Sequence, residues 1–191
     1  MGFSDVNEND WFYDAAVYVV TNGLYKGTTT TFSPNTEMTR AMMVTVLWRL
    51  AGEPEVELVY GNFADVAQGS YYEKAVAWAA KNNIVTGYGE GFFGPDDPIT
   101  REQLATIIYR YKGNPESAEK IPEFKDADKV SARAVKALIW AADKKLINGK
   151  PGGIFDPQGN ATRAEVATIL QRLAGIDSWV QLLPITDKNN Q

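Results

Sequence analysis

An internal repeat restricts this chain more than any other feature. The stretch Phe93-Gly94-Pro95-Asp96-Asp97-Pro98-Ile99-Thr100-Arg101-Glu102-Gln103-Leu104 recurs as Phe32-Ser33-Pro34 through Thr39-Arg40, and again as Phe155-Asp156-Pro157 through Thr162-Arg163. The three arginines stand about 61 residues apart. Such a period marks a supersecondary unit that cannot bury its apolar face alone, so each copy must pack on its neighbours.

Each copy reads locally as a turn, a helix cap and the start of an amphipathic helix. Proline fixes φ and ends what precedes it, and an adjacent Asp or Asn favours a turn. The threonine hydroxyl suits an N-cap. In Thr100-Arg101-Glu102-Gln103 and Thr162-Arg163-Ala164-Glu165 the fourth residue completes a capping box, whereas Thr39-Arg40-Ala41-Met42 lacks that partner. The cap does not explain the arginine, because a cation in the first helical turn opposes the helix dipole. Two readings stay open: the arginine helps the helix N-terminus hold an anion, or it pairs with a nearby carboxylate.

In chain order, the first repeat opens at Phe3-Ser4-Asp5-Val6. Its pattern predicts a helix from about Asp10 to Asn22, ended at Gly23, and a second from Arg40 to about Ala51, ended by Gly52. Met43, Val46, Leu47 and Leu50 form the apolar stripe of that second helix. A polar linker leads to Phe63-Ala64-Asp65-Val66, where Tyr71-Tyr72 matches Trp11-Phe12, and Leu104, Ile107, Ile108 and Tyr111 repeat the stripe. The third copy starts at Phe124-Lys125-Asp126-Ala127 and carries Val166, Ile169, Leu170 and Leu173. Arg133 stands there near the place of the aromatics Trp11 and Tyr71. The repeats are read as 3–52, 63–113 and 124–175, with a tail from 176 to 191. The expected fold is mainly α: three helix-turn-helix repeats closed around a pseudo-threefold axis, with a central three-helix bundle.

Composition narrows the chemistry. A net charge of −5 argues against a nucleic-acid partner. The absence of cysteine removes disulfides and thiolate sites, and the absence of histidine removes the commonest general base and metal ligand. No apolar run approaches a membrane-spanning length, so no membrane partner is expected. No leader peptide is visible before the first repeat, and Met1-Gly2 reads as the start of an excised piece, which leaves export open.

Taken together, the repeated Phe-x-Asp-Val, the aromatic-rich helix and Gly-Tyr-Gly-Glu-Gly-Phe-Phe-Gly-Pro-Asp-Asp-Pro-Ile-Thr-Arg-Glu resemble the S-layer homology domain over residues 3–175. The matching positions are Asp5, Asp65 and Asp126; Gly27, Gly87 and Gly149; and Arg40, Arg101 and Arg163. The resemblance implies a three-pronged spindle that anchors an exported protein non-covalently at the surface of a Gram-positive bacterium. Its partner would be secondary cell-wall polysaccharide ending in pyruvylated N-acetylmannosamine, bound in grooves between adjacent repeats by the motif arginine. A ketal carboxylate suits a guanidinium's forked donors. No cofactor, metal or catalysis is implied, and the expected state is a monomer with internal threefold pseudosymmetry.

Trp11 and Tyr71 are candidates to face a sugar ring, while Trp78 and Trp140 read as core. The aspartates are candidates to accept from sugar hydroxyls, or else are turn caps or partners of the arginines. The glycines permit either positive φ or close approach. With Arg133 in place of an aromatic, the groove that relies on that position is expected to be the weakest. The rivals are a structural or protein-interaction repeat whose arginines make only internal ion pairs, and a glycoside hydrolase using paired carboxylates. For the latter, Asp96-Asp97 is already explained by turn chemistry.

Overall fold

The computed structural model describes residues 2–26, 30–58, 63–116 and 123–177. It is mainly α, with helices α1 (Tyr13–Thr21), α2 (Arg40–Leu50), α3 (Glu73–Lys81), α4 (Arg101–Tyr111), α5 (Val135–Asp143) and α6 (Arg163–Asp177). A 3-10 turn spans Ala127–Lys129. Among the described residues extended backbone pairs only as isolated bridges, and no helix is long and apolar enough to cross a membrane.

The caps follow the sequence. The hydroxyls of Thr39, Thr100 and Thr162 accept the backbone N–H groups of Met42, Gln103 and Glu165 at 3.2, 3.3 and 3.3 Å. Gln103 and Glu165 reciprocate by accepting from Thr100 and Thr162 N–H at 3.3 and 2.9 Å, which Met42 cannot do. Gly52 and Gly113 end α2 and α4 in the left-handed region, at φ +85° and +78°.

Two boundaries differ from expectation. Helix α1 begins at Tyr13 rather than near Asp10, because Asp10 closes a preceding turn. Its carboxylate accepts Asn7 N–H at 2.7 Å and its carbonyl accepts Tyr13 N–H at 2.9 Å. Helix α6 runs through Gly175 to Asp177, so the expected tail starts later than Ile176. Most of that tail, 178–191, lies outside the described residues.

Helices pack across repeat boundaries. Helix α2 lies against α3, α4 against α5, and α6 against α1, so the second helix of each repeat supports the first helix of the next. The extended segments before α2, α4 and α6 close a cycle of hydrogen bonds. Met38 N–H donates to Ala161 C=O, Ile99 N–H to Met38 C=O, and Ala161 N–H to Ile99 C=O, at 2.9, 2.8 and 2.9 Å. All three residues are buried. One continuous core fills the space between, and Trp78 and Trp140 are within it, as their helical positions predicted.

Candidate functional site

The site grows from one peptide unit in each repeat. Asp5 accepts the N–H groups of Phe32 and Ser33 on separate oxygens, both at 2.7 Å. Asp65 does the same with Phe93 and Gly94 at 2.8 and 2.7 Å, and Asp126 with Phe155 and Asp156 at 2.7 and 2.8 Å. Burial pushes the Asp5 and Asp126 carboxyls up, but these backbone bonds prevail and hold both below the ordinary carboxylate value. Of the readings open for the aspartates, turn capping accounts for the contacts seen.

The other face of the same peptide belongs to the arginine of the preceding repeat. Arg40 Nε donates to Phe93 C=O at 2.9 Å, Arg101 Nε to Phe155 C=O at 2.8 Å, and Arg163 Nε to Phe32 C=O at 2.8 Å. The motif arginine is therefore an interlock between neighbours, and the side chain that looked misplaced in a first helical turn is aimed away from its own helix. Arg40 and Arg101 are only 5% and 4% exposed. Burial lowers the Arg40 pKa, with the neighbouring Tyr88, Asp97 and Asp65 opposing that shift.

Each guanidinium has a different further support. Arg40 lies 4.5 Å from the Tyr88 ring centroid and donates to Thr86 C=O at 3.3 Å. Arg163 lies 4.6 Å from the ring of Tyr25, whose buried hydroxyl donates to Arg163 C=O at 3.0 Å. Arg101 pairs with Glu165 at 2.8 Å and donates to Asn148 C=O at 3.1 Å. The ion-pair alternative thus holds for Arg101, while Arg40 and Arg163 stack on aromatics. Tyr25 and Tyr88 were not singled out by the sequence, since they occupy different places in their repeats, and Glu165 was read only as a capping-box residue.

The glycines serve close approach, not positive φ. A Cβ on Gly87 would strike Phe92 C=O and the Phe63 ring, and one on Gly149 would meet the Phe124 ring at 2.5 Å. Gly27 lies outside the described residues.

Two clefts open beside these arginines, each drawing on all three repeats. The larger, about 300 Å³, brings together Trp11, Arg101, Glu165, Arg172 and the Asn148–Gly149 turn. The smaller, about 70 Å³, brings together Arg40, Gly87, Tyr88, Gln103, Arg110 and Arg133. An arginine, a glycine and the residue at the start of another repeat's first helix thus meet at each cleft. Arg133 takes the place that Trp11 has in the larger one. Trp11 is 68% exposed and Tyr71 is 60% exposed, so both present free ring surface. Tyr71 stands beside Thr39 and Arg49. Arg49, Arg110 and Arg172 each follow a motif arginine by nine residues, a periodic signal that the first reading of the repeat passed over.

Known proteins share this pattern. The family model described as the S-layer homology domain matches residues 2–42, 62–105 and 123–167. An amylopullulanase of Thermoanaerobacterium thermosulfurigenes is 34% identical over 176 residues, covering 90% of this chain and 9% of that protein. An endoglucanase of Bacillus sp. (strain KSM-635) is 34% identical over 90% of this chain and 18% of its own length. The surface-layer 125 kDa protein of Lysinibacillus sphaericus is 31% identical over 67% of this chain and 11% of its own length. The chain therefore spans less than a fifth of each of these curated relatives.

Proposed function

Because this chain belongs to the S-layer homology domain family, we propose that it is a non-catalytic anchor holding an exported protein to the bacterial cell wall. The repeats at 3–52, 63–113 and 124–175 act as one monomeric unit, set around a pseudo-threefold axis with α2, α4 and α6 as its central bundle. The ligand is secondary cell-wall polysaccharide ending in pyruvylated N-acetylmannosamine. The proposed contacts are Trp11, Arg101 and Gly149 in one groove, Arg40 and Gly87 in a second, and Tyr71, Arg163 and Gly27 in a third. Asp5, Asp65 and Asp126 act by shaping the turn that lines each groove.

The observation that carries this reading is the exposed Trp11 ring on the cleft that also holds Arg101. An indole face offers apolar surface to a sugar ring, and burying part of it against the ligand stabilises the complex. A guanidinium has five N–H donors. Arg101 uses three on Phe155, Glu165 and Asn148, which leaves two for a ketal carboxylate. The rival, a purely structural interlock, explains the bonds of the arginines but not an exposed tryptophan beside one of them.

Calorimetric titration with purified pyruvylated wall glycan, and with the same glycan stripped of its ketal, tests the proposal. Binding that disappears with the ketal and weakens in Trp11→Ala supports the anchor. Equal behaviour of both glycans removes the ketal from the mechanism, and no binding to either favours the structural rival.

A further inference from the structure

The small cleft differs from the large one in charge as well as in size. Three guanidiniums line it, from Arg40, Arg110 and Arg133. In the large cleft, Arg101 is matched by Glu165 at 2.8 Å, and Arg172 donates to Leu146 C=O at 3.1 Å. Beside α2, the equivalent Arg49 donates to Leu24 C=O at 2.8 Å. In the small cleft Gln103 replaces the glutamate, and among the described residues the guanidiniums of Arg110 and Arg133 have no hydrogen-bond or ion-pair partner. Among the described residues Glu102 is the one carboxylate on its lining. Both of its oxygens are taken by Ser131, at 2.9 Å from the backbone N–H and 2.5 Å from the hydroxyl. Asp65 and Asp97 act on Arg40 electrostatically without lining the cleft.

The lining sets three guanidiniums against one carboxylate, an excess of cations that is unfavourable, and the charge of Arg133 acts against that of Arg40 here. A structural repeat gains nothing from this arrangement, since the other two copies give the second arginine a carbonyl partner. An oxyanion would receive forked, charge-assisted donors from two or three directions.

The geometry points to a distinct ligand for this cleft: a doubly charged, phosphate-type oxyanion bound between Arg110 and Arg133, with Arg40 at its floor. Exchange of an aromatic for Arg133 has thus changed the ligand class of one groove instead of merely weakening it for sugar. This inference revises the anchoring reading at one groove, replacing glycan by phosphate beside Arg40 and Gly87, and leaves the other two grooves to the glycan. A free phosphate ion and a phosphate monoester carried on a wall polymer share the chemistry, so both are tested.

The experiment is an NMR titration of the whole chain, following arginine Nε–Hε and backbone signals at constant ionic strength. The probes are inorganic phosphate, N-acetylglucosamine 1-phosphate, and pyruvate as a monoanion of similar size. The expected result is saturable, millimolar binding of both phosphates, with shifts at Arg110, Arg133 and Gly87 and much weaker binding of pyruvate. Arg133→Trp and Arg110→Gln each weaken phosphate about tenfold, the loss of one charge-assisted contact. Gln103→Glu keeps the capping box and introduces the carboxylate found in the large cleft, so it weakens phosphate by a similar factor. Tighter binding of the sugar phosphate than of the free ion assigns the site to a polymer, and equal binding assigns it to the ion. Non-saturating shifts, shifts spread equally over Arg49 and Arg172, or binding unaffected by Arg133→Trp and Arg110→Gln would overturn the proposal. Failure here leaves the glycan titration untouched: Trp11→Ala is expected to lose glycan at the large cleft and keep phosphate.

Discussion

The large and small clefts are built from the same three positions of the repeat, yet they present opposite surfaces. One offers a free indole, and its arginine is already matched by Glu165. The other offers cations with Gln103 where the glutamate would be. The frame beneath is the same in both, because the Arg-to-Phe carbonyl bond recurs at 2.9 and 2.8 Å. Repeat proteins can therefore keep the interlock constant and vary the lining, since Trp11 and Arg133 lie outside the Arg-to-Phe bonds that hold the copies together.

The strongest attack on this comparison is at the shared frame. Arg101→Ala removes bonds to Phe155, Glu165 and Asn148 and leaves Glu165 without its cation, so it should cost about 3 kcal/mol in urea unfolding. A loss below about 1 kcal/mol would mean that the interlock contributes little.

Next come the aspartates. Asp5 and Asp126 are held below their ordinary value in the folded chain, so their contribution is fully present above the unfolded pKa of about 3.9. It is lost as pH falls from there through the depressed folded values. Asp126→Asn should cost about 2 kcal/mol near neutral pH and flatten the acid limb of the stability profile. An unchanged acid limb would assign acid unfolding to other carboxylates.

Smaller effects separate lining from frame. Trp11→Ala, at an exposed ring, should change stability by only about 0.5 kcal/mol while removing glycan binding at the large cleft. Arg133→Trp should raise glycan binding at the small cleft, and two equal sites before that substitution would contradict the predicted inequality of the grooves. Glu165→Gln separates the charge pair from the cap. It preserves the capping geometry that Gln103 shows, costs about 1 kcal/mol for the lost charge pair, and frees an Arg101 donor for an anionic ligand.

Sequence reasoning reached the caps, the stripes and the buried Trp78 and Trp140 because these depend on neighbours within one or two helical turns. It also placed the candidate arginines, glycines and exposed aromatics through the repeat itself. It left the arginine's partner open between an anion and a carboxylate. The structure adds a third answer, the Phe carbonyl of the next repeat. Nothing near Arg40 in sequence points to Phe93, since the bond spans 53 residues. The same applies to Glu165, which looks like an ordinary capping-box residue and also neutralises an arginine from another repeat.

The order of turns, caps and helices was set locally, by proline, threonine, glycine and the apolar period acting over a few residues. Which Asp holds which turn also follows from the repeat, because both lie in one copy about 28 residues apart. Tertiary packing alone decided that α1 would cover α6, that Met38, Ile99 and Ala161 would bond in a cycle, and that Arg133 would join Arg40 and Arg110 at one cleft. The physical reason is that hydrogen bonds and charges act over a few ångströms in space. Only closure of the chain brings a side chain from one repeat within that range of the other two.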